Sequence, residues 1–287
     1  MPGLLPSRSA KGLEHTRTLL HAGWFVTKPA ETQGDQFADD WHTLDTLGLD
    51  YLKEHRGLSP RAVKFYRPRG DYRGDFYHNL GVTEAIANIR AGLHQEEASF
   101  IPQEQIEWDF GKYDELPIAF PAKTSAVLKN GPVSWEGHIQ PDAVFGVEYP
   151  GGGKNYFALE YQRAGPVRTN VLKGVSSMLK KYLAYADAHT SKTFKSEWGI
   201  TGQKTPLYVL FVFTTEIDYR ASLKLCSELF PNGAPMFFHA HIAPTRKTPG
   251  GFTKPAYPFP EIATMKWERV GCGPKAIYEK DPTEVGP

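Results

Sequence analysis

The sequence predicts an α/β fold in which a mixed sheet is flanked by helices, and three observations support this prediction. Apolar residues recur at helical spacing over 78–93. Two apolar runs on either side of a glycine-rich turn predict a β-hairpin over 141–162. A near-continuous apolar run at 206–215 is typical of a strand that is buried on both faces. Because helical segments at 168–189 and 218–230 separate these strands, we expect one mixed α/β unit.

Composition limits the class of protein. The chain has 287 residues, enough for two ordinary domains or one large one. Its 33 Lys and Arg residues balance 32 Asp and Glu residues, so any surface for nucleic acid must be a local patch. Two cysteines are too few for a disulfide scaffold or a cysteine zinc cluster. No apolar run approaches the ~18 residues of a membrane helix, and no signal-peptide core is present. We therefore expect a cytoplasmic protein with no membrane partner.

In the first segment, residues 1–55, the sequence pattern predicts a helix at 8–21. A strand, a long polar tip, a second strand and a second helix are predicted to follow. Its "LLHAGW" and "TLDTLGLDYL" stretches resemble the second half of a winged-helix DNA-binding domain. This resemblance implies a partial winged-helix-like segment that contacts DNA. The alternative is a plain helical hairpin that caps the rest of the chain.

A basic connector follows at 56–77, where cations alternate with aromatic residues among Pro and Gly. Aromatic rings that stack on bases, combined with cations that contact phosphates, suit nucleic-acid binding. The alternative is a solvated linker. The candidate DNA-binding residues of the connector are Arg61, Lys64, Arg67, Arg69 and Arg73.

The hairpin over 141–162 separates its residues into two sets. If Tyr149 pairs with Asn155, one face is apolar throughout and must face the core. This face consists of Ala143, Phe145, Val147, Phe157, Leu159 and Tyr161. We expect the helix at 169–188 to pack against it.

The opposite face of the same hairpin carries Asp142, Glu160 and Gln162. In the predicted register the two acids are diagonal neighbours. Two close carboxylates repel each other unless a cation lies between them, and hard oxygen ligands favour Mg²⁺ or Mn²⁺. The alternative is that both acids face solvent at the end of the hairpin.

The layout of these residues resembles the PD-(D/E)xK nuclease superfamily. "PD" occurs at Pro141-Asp142 and "EYQ" at Glu160–Gln162, and the order from residue 78 to 215 matches the core of that superfamily. More closely, "PDAVF", "YFALEYQRA" and "LKGVSSMLKKYLAY" resemble the replication-relaxation proteins of plasmids and other mobile elements. Those proteins place a winged helix ahead of a nuclease-like core. The resemblance implies a restriction-endonuclease-like domain over residues 78–243.

This resemblance implies a Mg²⁺- or Mn²⁺-dependent DNA endonuclease or nickase of a mobile-element or defence system. Asp142, Glu160 and the carbonyl of Tyr161 would hold the metal, and Glu84 on the first helix would be an outer or second-metal ligand. Gln162 would position the attacking water. On the helix after the hairpin, Lys173 would stabilise charge on the phosphate. Lys180, seven residues on and nearly in line with it, would bind DNA. The expected partner is DNA, together with a second copy of the chain or another protein.

Two departures support a different function. Gln162 stands where the superfamily has lysine, and "EYQR" stands where replication-relaxation proteins have E-x-D-R. The alternative is therefore a catalytically silent, DNA-binding accessory factor in plasmid replication or mobilisation, or a subunit of a larger complex.

The C-terminal part of the chain gives weaker signals. His239 and His241 alternate on a predicted strand at 236–243, and because no third ligand is obvious we expect a structural role for them. The tail at 244–287 is rich in Pro and Gly, and we expect it to be irregular.

Overall fold

The computed structural model describes part of the chain, which divides into two compact units at residues 1–76 and 77–287. The described residues are 26–27, 43–44, 46–56, 76–103, 105–106, 120–128, 131–163, 177–198, 206–242, 244–247, 253–255 and 259–279. None of the helices in these ranges is long and apolar enough to cross a membrane.

In the first unit, strands β1 (Val26–Thr27) and β2 (Thr43–Leu44) pair antiparallel, and helix α1 (Thr46–Arg56) follows. These pieces have the predicted order of strand, strand and helix. The predicted helix at 8–21 lies outside the described residues. So do the connector residues Arg61, Lys64, Arg67, Arg69 and Arg73.

The remaining helices and strands begin with helix α2 (Phe76–Gln95). In chain order they are α2 (Phe76–Gln95), β3 (Ser99–Pro102), β4 (Phe120–Leu128), β5 (Gly131–Ile139), β6 (Ala143–Glu148), β7 (Lys154–Gln162), α3 (Met178–Ser191), α4 (Thr193–Trp198), β8 (Leu207–Phe213), α5 (Glu216–Leu229), β9 (Phe237–His241), β10 (Pro244–Lys247), β11 (Thr253–Pro255), β12 (Trp267–Arg269) and β13 (Cys272–Lys275). The predicted helices and strands that fall within the described ranges are confirmed.

The main sheet has seven strands in the order β13-β12-β9-β8-β7-β6-β3. Strands β7, β8 and β9 are parallel, and their neighbours on both sides are antiparallel. Parallel neighbours require a crossover connection, which is why helices lie between β7, β8 and β9 in the chain. The predicted α/β fold with a mixed sheet is therefore confirmed. Strands β4 and β5 form a separate hairpin.

Helices cover both faces of this sheet. Helix α2 packs on one face with the 3₁₀-helix Pro260–Ala263, and α3 and α5 pack on the other. In β8, Leu210 and Val212 face α2, whereas Val209, Phe211 and Phe213 face α3 and α5. Burial on both faces explains why the sequence of this strand is apolar at every position.

The hairpin of β6 and β7 differs from its predicted register. The last pair before the turn is Glu148 with Lys154, and not Tyr149 with Asn155. Within the turn, the Tyr149 N–H donates a hydrogen bond to the Gly153 carbonyl (2.9 Å). Gly152 in this turn has φ 78°, a conformation that favours glycine. The slip moves each residue's partner by two positions, and since side chains alternate with period two, the predicted faces are preserved.

The expected position of the helix at 169–188 is wrong. Its described part, α3, does not pack on the apolar face of the hairpin, which packs against α2 instead. It packs on Val144, Tyr156 and Ala158, which share the face of Glu160. Helix α3 covers this face because Val144, Tyr156 and Ala158 are apolar and would otherwise be exposed to water.

The prediction of an irregular tail is wrong for residues 259–279. Strand β12 pairs with β9 and β13 pairs with β12, so both strands extend the main sheet. Trp267 in β12 is completely buried. These strands have three and four residues, which is too short for a period of two to stand out among Pro and Gly.

Candidate functional site

The two acids of the hairpin meet at one end of its ladder. Ala143 pairs with Leu159, so the next positions on the two strands are Asp142 and Glu160. The Asp142 backbone N–H donates to the Leu159 carbonyl (3.0 Å), and Asp142 Oδ2 accepts from the Tyr161 N–H (2.8 Å). The acids are therefore cross-strand neighbours and not the diagonal neighbours that the predicted register implied.

Helix α3 supplies two partners for Glu160, whose exposure is only 2%. The Tyr185 hydroxyl donates to Oε1 (2.5 Å), and the Lys181 ammonium forms an ion pair with Oε2. Residues four apart lie on the same face of a helix, so Lys181 and Tyr185 approach the carboxylate from the same side. Both contacts exist because α3 covers the face of the sheet on which Glu160 lies.

Helix α2 supplies a partner for Asp142. His78, in its first turn, places Nε2 3.1 Å from Asp142 Oδ1. The His78 ring also meets the Tyr161 ring edge-on, with the ring centroids 5.9 Å apart. Asp142 is less buried than Glu160, since 21% of its side chain is exposed. The site therefore opens to solvent on the side of Asp142 and His78.

The charges of the site are coupled. Burial raises the pKa of Glu160 above its ordinary range, and the charge of Asp142 adds to this while Lys181 opposes it. Burial acts against Asp142 as well, but the hydrogen bond with His78 and the charge of Lys181 bring its pKa below the ordinary value. For Lys181, burial lowers the pKa, but Glu160 and Asp142 outweigh it and the pKa is raised. Lys181 thus interacts as a cation with both acids.

The donor set fits a hard divalent cation. Mg²⁺ is usually bound through one or two carboxylates and completes its shell with water and substrate phosphate. Asp142 and Glu160 offer two such carboxylates. Within the described part of the chain, no three His, Cys, Asp or Glu side chains lie close enough together to hold a metal ion. A cation held by the two carboxylates would complete its shell with oxygens such as those of water, a backbone carbonyl or a substrate phosphate.

Glu84, the predicted outer ligand, is not grouped with the two acids. Glu84 is buried on α2. The pKa of Tyr161 is raised mainly by the burial of Tyr161 itself and next by the charge of Glu84. The Tyr161 side chain packs on the α2 side of the sheet, whereas Glu160 faces α3. The sheet therefore separates Glu84 from Glu160.

The other predicted residues have mixed outcomes. Gln162 is half-buried at the end of β7, and its Nε2 donates to the Arg163 carbonyl (3.2 Å). Lys180 directs its ammonium over the Trp135 ring, 5.1 Å from the centroid, and its contact with DNA stays a prediction. Lys173 lies outside the described residues.

Three residues of the site were missed from sequence, namely His78, Lys181 and Tyr185. Lys181 lies within "KKYLAY", and its four-residue spacing from Tyr185 is a signal that both side chains point in one direction. That signal becomes useful only once it is known that α3 covers the face of Glu160. For His78, the sequence offers only its place at the start of a helix.

Both ring nitrogens of His239 have partners within the protein, as expected for a structural role. It is completely buried, with Nε2 2.6 Å from the Tyr182 hydroxyl and Nδ1 3.2 Å from the Glu268 carbonyl oxygen. His241 instead approaches Glu216, with 2.9 Å between Nδ1 and Oε2. The two histidines therefore do not converge on one ligand.

Comparison with known proteins gives no relative. The chain matches no protein-family model, and neither a curated protein nor a solved structure is significantly similar to it. Function must therefore be inferred from the residues of the site.

Proposed function

We propose that this protein is a DNA-binding, Mg²⁺- or Mn²⁺-dependent endonuclease or nickase with a restriction-endonuclease-like core. The observation that supports the proposal is the convergence of Asp142, Glu160 and Lys181 at one end of the hairpin. Two acids and a lysine are the residue types implied by the resemblance to PD-(D/E)xK nucleases. Here the lysine comes from the following helix and not from the position of Gln162.

Each residue has a proposed role. Asp142, Glu160 and the Tyr161 carbonyl would hold the cation, which when bound lowers the pKa of water and neutralises charge on the phosphate. Lys181 takes the role that the sequence suggested for Lys173, that of contacting the phosphate. Gln162 would orient the attacking water through its amide.

Supporting residues fix the geometry of the acids. His78 and the Tyr161 N–H occupy the two oxygens of Asp142, and Tyr185 holds Glu160 Oε1. These contacts limit the rotamers of both carboxylates before any substrate binds, which is a requirement for precise positioning. We place this activity in a mobile-element or defence system. The basic connector and Lys180 would bind the DNA.

The experiment that tests this function compares Asp142→Asn and Glu160→Gln with wild type. Supercoiled, linear and single-stranded DNA are incubated with Mg²⁺ or Mn²⁺. Each change removes a ligand charge and nearly preserves shape, so cleavage should fall by roughly 10²-fold or more. DNA binding in EDTA should hold or improve, because an acid that repels phosphate is removed.

The matched control is Glu148→Gln, which removes a carboxylate from the same hairpin. Glu148 pairs with Lys154 at the exposed turn end, and 42% of its side chain is exposed. Its cleavage should stay within about twofold of wild type, since exposed ion pairs contribute little. Wild type that never cleaves DNA with either metal would contradict the proposal.

A second candidate is a catalytically silent, DNA-binding accessory factor. It is favoured by the observation that Lys181 already neutralises Glu160 and that each oxygen of both acids has a donor from the chain. Gln162→Lys distinguishes the two candidates. It should retain or raise cleavage in an enzyme, because it adds the charge that is common in the superfamily, and it should create none in a silent protein.

A further inference from the structure

Lys181 is placed where a cation bound by the two acids would also have to bind. Its ammonium contacts Glu160 Oε2, and its side chain is only 15% exposed. Oε1 of the same carboxylate accepts from Tyr185 at 2.5 Å. The contact is therefore internal, and both oxygens of Glu160 are occupied by donors from one helix.

An ammonium and a divalent ion cannot comfortably share one carboxylate. If both contacted Glu160, a single and a double positive charge would lie within a few ångströms of each other in a poorly solvated site. Asp142 and Glu160 together carry two negative charges against the three positive charges of the two cations, so a site that held both would keep an excess positive charge. Release of the ammonium would remove this excess.

Lysine is suited to leaving. Its ammonium is carried on a flexible four-carbon stem, and it interacts with the charge of Asp142, which lies on the side of the site that opens to solvent.

We propose that Lys181 is a built-in competitor of the divalent cation, so that Mg²⁺ or Mn²⁺ binds to Asp142 and Glu160 by displacing the Lys181 ammonium from Glu160 Oε2. This inference rests on the proposed function and adds a mechanism that sets the metal affinity. In the metal-free protein Lys181 neutralises the acids. In the metal-bound protein it is released towards the DNA phosphate.

The test measures Mn²⁺ binding by calorimetry and by the loss of free-Mn²⁺ electron paramagnetic resonance signal, without DNA, at pH 8. Lys181→Met removes the competitor, and Lys181→Gln removes the charge but keeps a donor for Glu160 if the methionine variant does not fold. Lys180→Gln is the matched control. Either Lys181 variant should bind Mn²⁺ at least roughly tenfold more tightly than wild type. The control should stay within about twofold.

The outcomes separate the inference from the proposed function. Lys181 variants that bind Mn²⁺ with wild-type or lower affinity overturn the competition but leave the metal site standing. If neither wild type nor a folded Lys181 variant binds Mn²⁺, the acids are not a metal site, and the competition and the metal-dependent function both fail. Tighter binding that Lys180→Gln reproduces would also overturn the specific role of Lys181.

Discussion

His239 shows how one buried side chain can have a single protonation state imposed on it. Its Nδ1 faces the Glu268 carbonyl, which can only accept, so Nδ1 carries the proton. Nε2 is then an acceptor for the Tyr182 hydroxyl. Burial lowers the pKa of His239 to about 4. The ring is therefore neutral in the folded protein at neutral pH.

This pKa predicts a pH dependence of stability. In the unfolded chain His239 takes up a proton near pH 6.5, whereas in the folded protein it does so only near pH 4. Between these values the unfolded state binds more protons, so stability falls as the pH falls. The expected loss by pH 4 is about 3 kcal/mol. Urea unfolding at several pH values measures it.

His239→Gln is the variant that isolates this contribution. Glutamine does not titrate, so the free energy of unfolding should fall by about 3 kcal/mol less than in wild type between pH 6.5 and 4. The variant should be less stable at pH 7, since an amide fits the two partners less well. Parallel curves for the two proteins would show that His239 does not account for the pH dependence.

The same scale shows what could be predicted of the site. Asp142 and Glu160 were placed on one face because alternation in a strand survives the two-residue register shift. His78 and Lys181 could not be assigned, because their contacts depend on which helix covers which face. That choice is made by long-range packing and leaves no local pattern in the sequence.

At the scale of elements, the packing of α2 depends on two glycines. A Cβ on Gly81 would meet the Tyr161 ring, with the nearest atom at 2.3 Å. A Cβ on Gly92 would meet the Pro260 carbonyl oxygen at 2.1 Å and the Ala263 Cβ at 2.7 Å. The clash at Gly92 involves backbone, so a side-chain rotation cannot relieve it. The approach of α2 to the 3₁₀-helix therefore requires glycine.

Gly92→Ala should consequently destabilise the protein although alanine favours helices. Overpacking costs about 1–3 kcal/mol, and the gain in helix propensity offsets at most about 1 kcal/mol of it. We expect the thermal midpoint to fall by several degrees, at about 2–4 °C per kcal/mol. Gly153→Ala is the control, since nothing lies within 4 Å of its Cβ. Equal midpoints for both variants would contradict the close approach.

Element prediction succeeded where the pattern was long. Strand β8 was found because its apolar run is nearly continuous, and helix α2 was found because its apolar residues recur at helical spacing. The β4–β5 hairpin was not predicted from the sequence. In this hairpin Trp135 contacts Lys180 of α3, and the sequence alone does not reveal that contact.

At the scale of the whole unit, the C-terminal residues complete the core that α2 begins. Ile262, Trp267, Ile277 and Tyr278 are buried in one cluster with Ile89 and Leu93 of α2. The Trp267 Nε1 donates to the Ile262 carbonyl (3.1 Å), and the Tyr149 hydroxyl donates to the Ile277 carbonyl (2.8 Å). The tail thus reaches the hairpin that carries the site, from the far edge of the sheet.

Deletion of residues 243–287 should therefore unfold the unit. It removes four large buried side chains, each worth about 1.5–3 kcal/mol of burial, and the sum approaches the whole stability of a typical domain. It also leaves β9 as an unpaired edge strand, which invites aggregation. A chain that ends at Glu279 is the matched control, because it keeps β12, β13 and Tyr278. We expect soluble protein with a cooperative thermal transition from the control and aggregated protein from the deletion. If the deleted chain unfolds cooperatively at the same midpoint as the control, β12 and β13 do not contribute to the stability of the core.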